Sequence, residues 1–109
     1  MLPSPSSTLA GAPDEAALVR SARDGDLAAF ETLARRHERR VYALARRLTD
    51  SEHDAQDVTQ QTFLAAVRYL ARFRGDAAFG TWLAAMAAHA ALKLHRKRRG
   101  LATTSLDAA

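Results

Sequence analysis

Residues 72–82 read RFRGDAAFGTW and lie between two stretches with the composition of long helices. The segment holds three aromatics, two arginines and two glycines in a chain whose aromatic fraction is only 6%. A tight turn needs only Gly75, whose missing Cβ lets the backbone bend or approach another group closely. The remaining side chains ask for a further reason. Single-stranded nucleic acid is held by aromatic faces that stack bases, each worth ~1–3 kcal/mol, and by cations that neutralise phosphates. Phe73, Phe79 and Trp82 beside Arg72 and Arg74 supply those ingredients. Phe79 and Trp82 are also three apart at a helix start, the spacing of residues that pack into a core. On that reading Trp82 is structural, and Phe73 and the turn are left as contacts.

On either side of this junction the pattern is helical. The segment before it begins at SEHD, where Ser51 followed by Asp54 resembles a capping box with aspartate in place of glutamate. It continues to about Arg72 and buries Ala55, Val58, Thr62, Ala66 and Tyr69, or their neighbours Phe63, Val67 and Leu70. The segment after it runs from about Ala78 to Arg99, with Asp76 in the N-cap region and Gly100 past the end. At ~1.5 Å per residue it is roughly 33 Å long, more than the core of so small a domain requires. Upstream, a short helix is expected over about Asp14 to Arg23, ending near Gly25. A long one follows over about Asp26 to Leu48. Its apolar residues Leu27, Phe30, Leu33, Val41, Leu44 and Leu48 recur at three- and four-residue steps. His37 falls on that stripe and reads as a core histidine.

These elements predict an all-α fold, a bundle of three main helices plus a short N-terminal one. Residues 1–13, rich in proline and serine, read as a disordered lead-in without the basic start and apolar core of a signal peptide. The helical domain is expected over residues 14–100, with 101–109 the beginning of a linker. The chain contains no cysteine, so disulfides and thiolate metal sites are excluded, which fits a reducing cytoplasm. No apolar run approaches the ~18 residues of a membrane span. Charge is uneven: residues 1–60 carry ten acids and eight bases, residues 61–109 two acids and eight bases. Such a basic second half points to a polyanionic partner, nucleic acid before membrane, or else to a solvated arginine-rich surface.

Two further constellations carry chemistry. In DAQDVTQQTF, Asp54, Asp57, Gln60 and Gln61 project near one helical face, able to accept hydrogen bonds from a partner's arginines or simply to face solvent. No nucleophile or orienting group accompanies the carboxylates, so a catalytic pair is a poor reading and the protein is expected not to be an enzyme. In HAALKLHRKRRG, His89, Lys93, Arg96 and Lys97 share a broad face, and Arg98 and Arg99 extend the charge around the helix end. Five cations in residues 93–99 exceed what helix capping requires, which favours a phosphate-facing helix. His89 and His95 fall on different faces with no carboxylate or cysteine beside them, so no metal site and no cofactor are expected.

Together these residues resemble region 2 of a bacterial RNA polymerase sigma factor of the extracytoplasmic-function group in the sigma-70 family. DAQDVTQQTFLAAV is similar to that family's D-A-x-D-x-x-Q-E-x-F segment, and FRGDAAFGTWL to its F-R-G-x-x-x-F-x-T-W-L segment. TTSLD is similar to the start of the linker that follows region 2. The resemblance extends over about Glu15 to Asp107. It implies a cytoplasmic transcription initiation factor whose Asp57, Gln60 and Gln61, with Asp54 on the same helix, dock against the coiled coil of the polymerase β′ subunit. It implies that Phe73, Arg74, Gly75, Asp76 and Ala77 form a loop capturing a base flipped from the promoter −10 strand, with His89 lining the pocket. Arg96, Lys97, Arg98 and Arg99 would run near promoter phosphates. Regulation by an anti-sigma partner is common in the group.

Departures from the pattern bear on these implications. Gln61 replaces a typical glutamate, His89 stands where asparagine is frequent, and Gly80, Ala84, Ala85 and Ala88 occupy places often polar. A thinned DNA face leaves a second reading, a sigma-like interaction domain that binds polymerase or a regulator with weakened DNA recognition. Whole factors of the group carry a second helical domain that reads the −35 element, and none is present here. A truncated piece and a stand-alone variant both fit that ending.

Overall fold

The computed structural model describes residues 14–108, with side chains through residue 100. The lead-in expected over 1–13 lies outside the described residues. All regular elements among them are helical: α1 (Glu15–Arg23), α2 (Leu27–Leu48), α3 (Glu52–Tyr69), a single 3₁₀ turn (Leu70–Arg72) and α4 (Phe79–Ala108). This is the all-α arrangement of one short and three long helices that the sequence predicts.

Short-range chemistry sets the helix starts. The Asp14 side chain accepts from Ala17 N and caps α1. Asp26 Oδ1 accepts from Ala28 N and Ala29 N at 3.0 and 3.2 Å and caps α2. Ser51 accepts from Asp54 N at 3.0 Å and caps α3. Each such cap is worth about 1 kcal/mol over alanine. Between α1 and α2, Gly25 takes φ +102°. Asp26 N then bonds Ser21 O and Gly25 N bonds Ala22 O, each at 3.0 Å, the two closing bonds of a Schellman turn.

The residues through Arg36 form one compact unit and those from His37 onward another. In the first, Leu18, Val19, Ala22, Ala29 and Leu33 are buried, and Arg36 pairs with Glu15 at 3.8 Å. In the second, Ala45 of α2, Ala55 and Val58 of α3 and Ala91 of α4 make a common core, flanked by Tyr42, Leu48, Ala90 and Leu94. Alanines at the contact let helices approach closely, and the removal of apolar area from water stabilises the packing at roughly 25 cal/mol per Å².

The periodic stripes hold with local shifts. Leu33 and Val41 are buried, whereas Leu27, at the first position of α2, is 73% exposed. His37 is buried, as expected of a core histidine. On α3 the buried set is Ala55, Val58, Thr62 and Ala66, followed by Leu70; Tyr69 and Val67 are exposed. Thr62 is tolerated because its hydroxyl donates to Val58 O at 2.7 Å. The largest shift is at the end of α4, which continues through Gly100 to Ala108 rather than stopping. A mid-helix glycine costs only about 1 kcal/mol, and its arginine, leucine and alanine neighbours favour helix.

Candidate nucleic-acid interface

The α3–α4 junction is built from three local devices. After the 3₁₀ turn, Phe73 N donates to Leu70 O at 3.0 Å. Gly75 then takes φ +85°, a left-handed conformation that side-chain-bearing residues rarely adopt. Finally the Ala78 carbonyl accepts from Thr81 N and Trp82 N at 3.0 and 3.1 Å, starting α4. Asp76 therefore lies upstream of the capping position expected for it, exposed in the loop with Arg74, Gly75 and Ala77.

The aromatic side chains of this junction pack on one another. Phe73 and Phe79 meet edge to face at 5.7 Å, Phe73 and Trp82 lie 5.0 Å apart, and Phe79 and Trp82 5.6 Å. His37 closes the cluster against Phe79 at 5.5 Å. Phe73 is only 7% exposed, which corrects its assignment as a stacking face: its ring is a core side chain. Trp82, read as structural, is half-buried and presents part of its surface outside the cluster.

That surface opens into a groove of about 1020 Å³ between α3 and α4. From α3 its wall takes Asp57, Gln61, Leu64, Ala65, Arg68 and Tyr69; from α4 it takes Trp82, Ala85, Met86, His89, Ala90, Lys93, Leu94 and Lys97. Of the residues singled out in the sequence, the groove brings together Asp57, Gln61, His89, Lys93 and Lys97. The acidic-amide set of α3 and the basic set of α4 thus face one space. Gln60, Arg96 and Arg99 are exposed outside this lining. The sequence reading missed Arg68 and Tyr69, both exposed. The guanidinium of neighbouring Arg72 stacks over the Tyr69 ring, 5.4 Å from its centre. The steps 57, 61, 64, 68 on one helix and 82, 86, 89, 93, 97 on the other carry the helical period that marks each wall. Their facing each other is a tertiary fact.

Two assignments, one on α3 and one on α4, are corrected. Asp54 is 4% exposed, and both its oxygens accept from Arg98, at 2.7 Å from Nη1 and 2.6 Å from Nη2. A buried carboxylate held in a bidentate fork is not a polymerase-facing group, and the Arg98 guanidinium is committed to Asp54 rather than to DNA. His95 is likewise engaged, its Nε2 lying 3.1 Å from Leu48 O at the end of α2. Lys93, Arg96, Lys97 and Arg99 remain as exposed cations without an ion pair among the described residues.

An all-helical domain with planar, cationic and amide groups around one open groove suits a partner that carries both bases and phosphates. Residues 33–100 match the model of sigma-70 region 2, and the chain belongs to that family. It is 40% identical over 83 residues to RNA polymerase sigma-H factor of Pseudomonas aeruginosa, covering 76% of this chain and 42% of that protein. It is 37% identical over 83 residues to the ECF sigma factor SigM of Mycobacterium tuberculosis, with the same two coverages. It is 42% identical over 74 residues to the ECF sigma-E factor of Escherichia coli, covering 68% of this chain and 38% of that one. The chain thus spans about two-fifths of the length of the relatives it matches. Among solved structures, an engineered region 2 of sigmaE in complex with GTAAAA superposes with a TM-score of 0.71 at 32% identity, covering 80% of this chain and 93% of that one.

Proposed function

We propose that this domain is the part of a transcription initiation factor that docks on core RNA polymerase and holds the melted promoter −10 element. The observation that carries the reading is the α3–α4 groove. Trp82 and Tyr69 offer planar faces, Arg68, Lys93 and Lys97 offer charge, and His89 offers a ring nitrogen that donates or accepts. Unstacking a base from duplex DNA costs a few kcal/mol. A stacking face returns ~1–3 kcal/mol, and polar contacts to the base edge supply the remainder. The structural neighbour, a sigmaE region 2 in complex with GTAAAA, supports a nucleic-acid partner for this domain.

Within this reading the exposed Arg74–Ala77 loop contributes backbone and polar contacts to the extruded base, and Phe73 holds the loop in place from inside. Lys93, Arg96, Lys97 and Arg99 steer and neutralise phosphates. Gln60, exposed outside the groove, and Asp57 and Gln61, exposed on its α3 wall, dock on the β′ coiled coil, the surface for which an anti-sigma factor would compete. The site of action is the cytoplasm, where polymerase works. The role is one of binding rather than catalysis. No helix among the described residues is long and apolar enough to cross a membrane.

The test is fluorescence anisotropy with a labelled GTAAAA strand and its single-base variants. A base preference that fades in Tyr69→Ala and His89→Ala is the expected result. Equal binding of every strand would leave charge alone and reject base capture. A pull-down on the β′ coiled coil should weaken with Asp57→Arg; unchanged capture would reject the docking assignment. Ala85 on the groove wall favours the second reading, a polymerase-binding domain with a weakened DNA face, and that reading predicts loss in the pull-down alone.

A further inference from the structure

One planar wall of the groove carries a cation of its own. Tyr69 is the last residue of α3, and the 3₁₀ turn Leu70–Arg72 follows it directly. With three residues to a turn, side chains three positions apart eclipse one another. Arg72 therefore stands over Tyr69, its guanidinium carbon 5.4 Å from the ring centre. The turn is pinned on both sides: Leu70 and Phe73 are buried, and Phe73 N donates to Leu70 O at 3.0 Å. Phe73 in turn packs 5.0 Å from Trp82, the other planar wall. The stack is thus seated on the core.

The two partners divide differently between groove and solvent. Tyr69, 38% exposed, lines the groove, whereas Arg72 is exposed and takes no part in its wall. The guanidinium therefore covers the ring from outside and leaves its groove side open. Arg72 forms no ion pair among the described residues, so no carboxylate draws it off the ring. A cation–π contact at an exposed site raises the population of the stacked orientation about two- to five-fold. The affinity of a ligand that needs that orientation rises with the population.

We infer that Arg72 is a positioning residue for strand capture, holding the Tyr69 ring from one side so that its opposite face stacks a purine of the bound strand. The inference rests on the −10 reading above. Stacking tolerates every base because every base has a π-face, and its strength grows with ring area, which selects a purine. A direct grip on phosphate is the competing role for this arginine. Its seat over the ring, outside the groove wall, favours the positioning role.

The experiment is a double-mutant cycle on the full chain, with Arg72→Ala and Tyr69→Ala made singly and together. It is read by anisotropy of labelled GTAAAA and of the same strand with an abasic site at each position in turn. Arg72→Ala should weaken GTAAAA on the order of three-fold and leave the log–log salt slope unchanged. It should have no further effect once Tyr69 is alanine. One abasic strand, at a purine position, should bind the parent more weakly and be indifferent to both substitutions. A loss that persists in the Tyr69→Ala background, with the salt slope lowered by about 0.7, would make Arg72 a phosphate contact and overturn the inference. Unchanged affinity in Arg72→Ala, in a parent that discriminates among bases, would overturn it and leave the −10 reading standing. A parent that ignores every base change and every abasic site would remove both.

Discussion

Around its start α4 gathers Phe73, Phe79 and Trp82, and just past its middle it carries Lys93, Arg96, Lys97, Arg98 and Arg99. Both clusters have the composition of a ligand site, yet the structure treats them oppositely. The aromatic rings are consumed by one another and by His37, and only part of Trp82 faces outward. The cations stay on the surface, except that Arg98 is committed to Asp54. Apolar rings gain by meeting each other, whereas like charges gain by separation and solvent. A cluster of aromatics in sequence is therefore first a statement about packing, and a cluster of cations first a statement about surface.

Substitutions in the two clusters should separate these roles. Phe79→Ala opens a cavity in the aromatic cluster and should cost about 3–5 kcal/mol, read by urea denaturation. A loss near 1 kcal/mol would mean the rings are dispensable and the contrast false. Arg98→Ala leaves the buried Asp54 carboxylate without its fork. Because the Arg98 side chain is 55% exposed, the expected cost is about 2 kcal/mol, below that of a fully buried pair. Asp54→Asn combined with Arg98→Gln should recover part of it in the same assay. Gly75→Ala places a Cβ at φ +85° and should cost about 1 kcal/mol, checked by the thermal midpoint. Lys97→Ala should leave stability within about 0.5 kcal/mol of the parent while lowering the salt slope of oligonucleotide binding by about 0.7. Should Lys97→Ala destabilise the fold as Arg98→Ala does, the basic cluster would be as structural as the aromatic one.

The starts of α1, α2 and α3 were legible because their causes are local: Asp14, Asp26 and Ser51 each bond a backbone N–H two or three residues ahead. The end of α4 was not, since Gly100 is a stop signal only when it takes the left-handed conformation itself, and it does not. The buried faces of α2 and α3 followed from their period, with alanine in place of leucine at the closest contacts. In the interface, His89, Lys93 and Lys97 were found with Asp57 and Gln61, but as two separate faces. Asp54 and Arg98 were misread because they are 44 positions apart and spacing carries no sign of their pairing. Phe73 was misread because it lies outside any helix, where period gives no hint of burial.

The bonds from Arg98 to Asp54 and from His95 to the Leu48 carbonyl tether the distal part of α4 at two points near the α2–α3 corner. The lysines on the neighbouring turns are thereby set at a fixed azimuth before any strand arrives. The conformational entropy of arranging them is lost during folding rather than at the encounter, so an incoming polyanion meets a ready-made array.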